Sequence, residues 1–195
     1  KGVLWAFEKK EMVLPFGMDL LLLGDLPSGA GLSSSASLEV LIGFIMRDLY
    51  GFDVTNVDLA LIGQQAEHEF CGVNCGIMDQ FAVAMGKKDH ALLLNTKTLD
   101  YEYIPITLCG VKLIIANSNK KHKLGESKYN ERREECETAL EEISQAIGIH
   151  ALCDLDEKTW NLYQVTVKDD DRKRRVKHAV TENARTKQAA AALKQ

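Results

Sequence analysis

A loop rich in glycine and serine, Pro27-Ser28-Gly29-Ala30-Gly31-Leu32-Ser33-Ser34-Ser35-Ala36-Ser37, restricts the fold of this chain more than any other feature. The apolar run before it, residues 18–25, ends at Pro27 and reads as a buried strand. After it, Leu38, Leu41, Ile42, Ile45, Met46 and Leu49 recur at spacings of three and four, which predicts a helix with one apolar face. Gly51 ends that helix as a left-handed cap. Glycines in such a strand–loop–helix unit let the backbone turn sharply and approach a ligand with no Cβ in the way. The helix begins with unpaired N–H groups and the positive end of its dipole directed into the loop. That arrangement is an anion site, and polyphosphate suits it best. The hydroxyls of Ser33, Ser34 and Ser35 add donors and an oxygen ligand for a hard cation. Serine at helix N-caps and glycine in loops are each common, but their combination here between a strand and a helix is rarer. The loop is not a Walker A sequence, because no Lys-Ser/Thr pair follows, and Ser34 stands at the third glycine of a dinucleotide fingerprint.

Further along, Thr55-x-x-Asp58 resembles a capping box and opens a second helix to about Phe70. Residues 72–76 form a turn and 77–85 a short helix. Three strand candidates follow at 90–95, 101–106 and 111–116, then a long amphipathic helix at 128–147 carrying Tyr129, Cys136, Leu140, Ile143 and Ile147 on one side. A last helix runs from about residue 170 to the end. The order β-α-α-α-β-β-β-α-α defines an α+β architecture rather than alternating βαβ units. Composition shifts at residues 107–110, which sets a boundary between a segment 1–107 and a segment 108–195.

A second chemical feature is Gly72-Val73-Asn74-Cys75-Gly76-Ile77-Met78-Asp79-Gln80. Asp79 falls on the first turn of a short helix, where it reads either as an acid satisfying the helix dipole or as a carboxylate at the edge of a cleft. Upstream, Gln64, Glu67 and His68 share a helix face, and Glu67 reads equally as a surface acid or an Mg²⁺ carboxylate. His68, Cys71 and Cys75 have the spacing of three zinc ligands, but that is one short of a structural site, and the cysteines read instead as thiols lining a loop or core. Five cysteines, odd in number and irregularly spaced, point to a reducing cytoplasm. With 24 Lys plus Arg against 28 Asp plus Glu there is no basic excess for nucleic acid, and no apolar run is long enough to cross a bilayer. The basic run at 172–175 follows three acids and reads as a solvated helix face, as does the charged run at 131–135. The chain begins at Lys1 and stops within a helical pattern, so the expectation is an excerpt of a longer protein.

The glycine/serine loop resembles the phosphate loop of the GHMP small-molecule kinases. Gln64-Gln65-Ala66-Glu67-His68, Cys75-Gly76-Ile77-Met78-Asp79-Gln80-Phe81 and Asn117-Ser118-Asn119, with the stretches 129–136 and 175–193, resemble in order and spacing the members that act on galactose. The resemblance covers about residue 20 to the end. It implies a two-domain fold, with the phosphate-loop domain followed by the start of a ferredoxin-like C-terminal domain. It also implies ATP-dependent phosphorylation of the C1 hydroxyl of α-D-galactose. In its terms Asp79 is the catalytic carboxylate, Gly76 and Asp79 contact the sugar, and Ser35 and Glu67 bind Mg²⁺. Pro27, Gly29, Ala30, Gly31, Leu32, Ser33, Ser34, Ser35 and Ala36 cradle the triphosphate. ATP, Mg²⁺ and galactose are the implied ligands of a cytoplasmic monomer with no nucleic-acid or membrane partner. These kinases also carry an N-terminal signature, whose Arg assists the catalytic aspartate, and a C-terminal glycine-rich motif. Neither lies within these 195 residues, so the polypeptide alone is expected to have little or no kinase activity. Other readings are a kinase for another sugar, such as N-acetylgalactosamine, and a non-catalytic sensor that binds ATP and galactose.

Overall fold

Residues 1–27, 30–117 and 126–195 are described by the computed structural model, and they divide into two compact units, Lys1–Glu126 and Ser127–Gln195. In the first unit, helix α1 (Gly2–Lys9) forms because Val3, Ala6 and Phe7 bury one face at helical spacing. It lies close enough to the turn at Ala66–Phe70 that a Cβ on Gly2 would stand 3.2 Å from Ala66 Cβ. Helix α2 (Ser34–Tyr50) ends at Gly51 with φ 69°, the left-handed cap expected there. Helix α3 (Asn56–Gln65) opens on a complete capping box: Asp58 N donates to Thr55 Oγ1 at 3.1 Å, and Thr55 N donates to Asp58 Oδ2 at 2.7 Å. One π turn, Ala66–Phe70, continues it. Phe7, Met46, Leu59 and Ile62 form the core between these helices.

Helix α4 (Met78–Met85) seats Ile77 and Phe81 against Ala60 of α3 in a smaller core. An antiparallel hairpin of β1 (His90–Leu94) and β2 (Tyr101–Pro105) follows, with Leu92 opposite Tyr103 and Leu94 opposite Tyr101. It braces α4 at two points. The Tyr103 hydroxyl donates to the Met85 carbonyl at 2.7 Å, and Tyr101 meets Phe81 edge to face at 5.5 Å.

In the second unit, α5 (Glu126–Ser144), α6 (Glu157–Tyr163) and α7 (Asp170–Leu193) enclose Ile143, Trp160, Val176 and Val180. Asp156 and Asp169 cap α6 and α7 through their side chains. Each cation of the basic run on α7 has an acidic partner. Arg172 bonds Glu142 and Arg175 bonds Glu135, both on α5, while Lys173 and Arg174 pair with Asp170 and Asp171. Contact with Glu135 raises the already high pKa of Arg175 further.

Two sequence expectations fail. Residues 18–25 and 111–116, both read as strands, have no strand structure, and Leu21, Leu23, Leu113 and Ile114 are more than four-fifths exposed. A strand exists only through hydrogen bonds to a neighbour, and among the described residues the single sheet is the two-stranded hairpin. Conversely, α1 and α6 arise where no helix was read.

Candidate active site

The segment leading into α2 keeps the features of a ligand loop. Ser28 and Gly29 lie outside the described residues, as do Ser118 and Asn119. Gly31 has φ 74°, and the space where a Cβ would stand is open. Ser33, the N-cap of α2, also has positive φ, 53°, a conformation that costs a non-glycine residue about 1 kcal/mol and clusters at functional positions. Its side chain does not cap the helix, and no acid stands in the first turn. The capping box of α3 and the aspartate caps of α6 and α7 supply such partners to their helices, whereas α2, like α1, starts with neither. Pro27 and Ser35 are exposed, Ala30, Leu32, Ser33 and Ser34 are half-buried, and Ala36 is buried beneath the turn.

Asp79 is exposed on the first turn of α4, and Gly76 is exposed just before it. The packing of Ile77 and Phe81 fixes this helix end. Glu67, only 8% exposed, lies in the π turn that extends α3. Such turns re-aim side chains and are frequent at functional sites. The loop between Glu67 and Asp79 folds back on the helix: Val73 N donates to Glu67 O at 2.9 Å, and Gln64 Nε2 donates to Cys75 O at 3.2 Å. His68 Nε2 lies 2.6 Å from the same carbonyl, so that ring nitrogen is occupied.

Sequence reasoning passed over the residue at the centre of this region. Glu39 is four residues after Ser35, one turn along the same face of α2. Its carboxyl is hydrogen-bonded to Glu67 and accepts from Gln80 Nε2 at 3.1 Å. Burial is the main force pushing Glu39 up to about 8; the bond to Glu67 and the charges of Glu67 and Asp79 add to it, and the Gln80 bond opposes it. Burial and the charge of Glu67 likewise push the Cys75 thiol up to about 11, which leaves it an inert thiol at neutral pH. Gln80 is 3% exposed, and its Oε1 has no hydrogen-bond partner among the described residues. The only signal in the sequence for Glu39 was its helical spacing from Ser35.

Two side chains carry the kind of oxygen donor Mg²⁺ prefers, the Ser35 hydroxyl on α2 and the Glu67 carboxylate in the π turn. Among the described residues no three His, Cys, Asp or Glu side chains form a cluster able to hold a metal. Magnesium at a phosphate site needs only one or two protein ligands, with phosphate and water completing its shell.

A glycine- and serine-rich segment thus leads into α2, and an exposed carboxylate stands on the first turn of α4. The chain resembles a known class of small-molecule kinase over residues 1–87, which match the family model described as GHMP kinases N terminal domain. Within the class it is homologous to galactokinases. It is 48% identical to Galactokinase of Streptococcus suis (strain 05ZYH33) and 49% identical to that of Clostridium beijerinckii, over 195 residues in each case, which is 100% of this chain and 50% of the relative. With Galactokinase of Bacillus subtilis (strain 168) it shares 45% over 185 residues, 95% of this chain and 47% of that one. A crystal structure of Lactococcus lactis galactokinase complexed with galactose matches 98% of the chain at TM-score 0.89 and 36% identity, using 50% of that structure's chain. The chain therefore spans about half the length of the curated relatives it matches.

Proposed function

We propose that this chain belongs to an enzyme that transfers the γ-phosphoryl group of ATP to the C1 hydroxyl of α-D-galactose, giving galactose 1-phosphate and ADP. The observation that carries the reading is the backbone match over 98% of the chain to a galactokinase complexed with galactose. The uncapped, acid-free start of α2 supports the nucleotide side of it.

In this reading Pro27, Gly29, Ala30, Gly31, Leu32, Ser33, Ser34, Ser35 and Ala36 hold the triphosphate through backbone amides and hydroxyls. Asp79 accepts the proton of the C1 hydroxyl as that oxygen attacks the γ-phosphorus and the bond to the ADP oxygen breaks. Gly76, with no side chain, lets the sugar approach the backbone beside Asp79. Ser35 and Glu67 hold Mg²⁺, which when bound neutralises phosphate charge. Phosphoryl transfer asks mainly for positioning and charge stabilisation, and these residues supply both. The same reading makes residues 1–107 part of the N-terminal domain and 108–195 the start of the C-terminal one. It describes a cytoplasmic monomer, and it expects little turnover from the 195-residue polypeptide by itself.

The test is ADP release by a galactokinase-length polypeptide carrying this sequence, with ATP, Mg²⁺ and either galactose or N-acetylgalactosamine. Release with galactose supports the proposal. Release only with N-acetylgalactosamine replaces the substrate, and binding of ATP and galactose without ADP release points to a sensor.

A further inference from the structure

A buried polar link joins three helices of the first unit, and the mechanism above makes no use of it. Glu39 of α2 meets Glu67 of the π turn, and Gln80 of α4, the neighbour of Asp79, donates to Glu39 at 3.1 Å. The helices approach closely here because position 63 is glycine. A Cβ there would come within 3.1 Å of Gln80 Cγ and 3.3 Å of Glu39 Oε2.

The hydrogen bond between the two carboxyl groups lets Glu39 restrain the orientation of Glu67. Ser35 stands one helical turn from Glu39 on the same face. Glu39 thus links Glu67 to α2, the helix that bears Ser35, and, through Gln80, to α4, the helix that bears Asp79. Gln80 spends its amide nitrogen on Glu39, which leaves its buried Oε1 without a partner among the described residues.

We propose that Glu39, held by Gln80, is a positioning residue that fixes the Glu67 carboxylate and the Ser35 face of α2 for Mg²⁺. This rests on the reading of Ser35 and Glu67 as the metal ligands. Partners behind a metal ligand of this kind change metal affinity by about 10–100-fold when lost.

The experiment titrates Mn²⁺ by EPR into the galactokinase-length polypeptide with a non-hydrolysable ATP analogue, and separately measures the Mg²⁺ requirement and KM for galactose. Glu39→Ala is expected to weaken Mn²⁺ binding about tenfold or more and raise the Mg²⁺ requirement, with KM for galactose nearly unchanged. Glu39→Gln keeps a donor for Glu67 and an acceptor for Gln80, and is expected to restore most of the affinity. If Glu39→Ala does not fold, Gln80→Leu takes its place, with weakened Mn²⁺ binding again expected. Wild-type Mn²⁺ affinity in the folded alanine variant, or in Gln80→Leu when it stands in, overturns the proposal, as does a Glu39→Gln defect equal to that of Glu39→Ala. Glu67→Ala separates the two levels. If it also binds Mn²⁺ normally, the assignment of Glu67 fails; if it alone loses affinity, only the role of Glu39 fails.

Discussion

Replacing Gly63 by alanine probes how closely α2, α3 and α4 meet behind the site. In an exposed helix interior this change stabilises a protein by about 1 kcal/mol, because glycine is the costlier helix former. At Gly63 the new methyl would lie 3.1 Å from Gln80 Cγ, 3.3 Å from Glu39 Oε2 and 3.4 Å from Glu39 Cβ. All three atoms belong to side chains bonded to each other, so moving one disturbs both. Overpacking of this kind costs about 1–3 kcal/mol, and a weakened Glu39–Gln80 bond about 1 kcal/mol more. Against the propensity gain, the net expectation is a loss of about 1–3 kcal/mol. The chain has two tryptophans, Trp5 in the first unit and Trp160 in the second. Urea unfolding followed by Trp5 fluorescence in a Trp160→Phe background therefore reports the first unit alone. Gly43→Ala is the control, since its methyl would meet the flexible end of Leu59, Cδ2 at 3.1 Å, and its loss should be smaller. If Gly63→Ala raised stability by the propensity amount, the close packing of Glu39 and Gln80 on α3 would be refuted.

Three further outcomes are expected. Removing the α3 cap with Thr55→Ala should cost about 1 kcal/mol in the same urea experiment, and an unchanged midpoint would contradict the capping box. Because the fold raises Glu39 from 4.5 to about 8, it favours the neutral acid. Its stabilisation is complete below pH 4.5 and is lost as pH climbs through about 8, so the Trp5 midpoint should fall between pH 6 and 8.5. Glu39→Gln should flatten that slope, and a slope that survived would assign it to another group. Ser35→Ala, at an exposed position, should leave stability within about 0.5 kcal/mol while raising the Mg²⁺ requirement for galactose phosphorylation; an unchanged requirement would remove Ser35 from the metal site.

Local signals were legible and non-local ones were not. The capping box at Thr55–Asp58 and the stop at Gly51 depend on neighbours within a few positions, and both are readable from residue type and spacing. Residues 18–25 and 111–116 have apolar patterns suited to strands, but pairing depends on a distant partner that pattern does not supply. Helix α1 was passed over because eight residues leave little periodicity to read. At the candidate site the sequence located the phosphate loop, Glu67 and Asp79 as segments. Beyond the helical spacing of Glu39 from Ser35 it does not show that Glu39 meets Glu67 and Gln80, because that contact depends on α2, α3 and α4 converging at Gly63.

The account rests most heavily on Asp79 as the group that receives the sugar proton. Steady-state kinetics of the galactokinase-length polypeptide with saturating ATP and Mg²⁺, comparing wild type with Asp79→Asn across galactose concentrations, test this directly. The expected result is a kcat lowered by about 10²–10⁴-fold with a modest change in KM. A variant that kept wild-type kcat would contradict it.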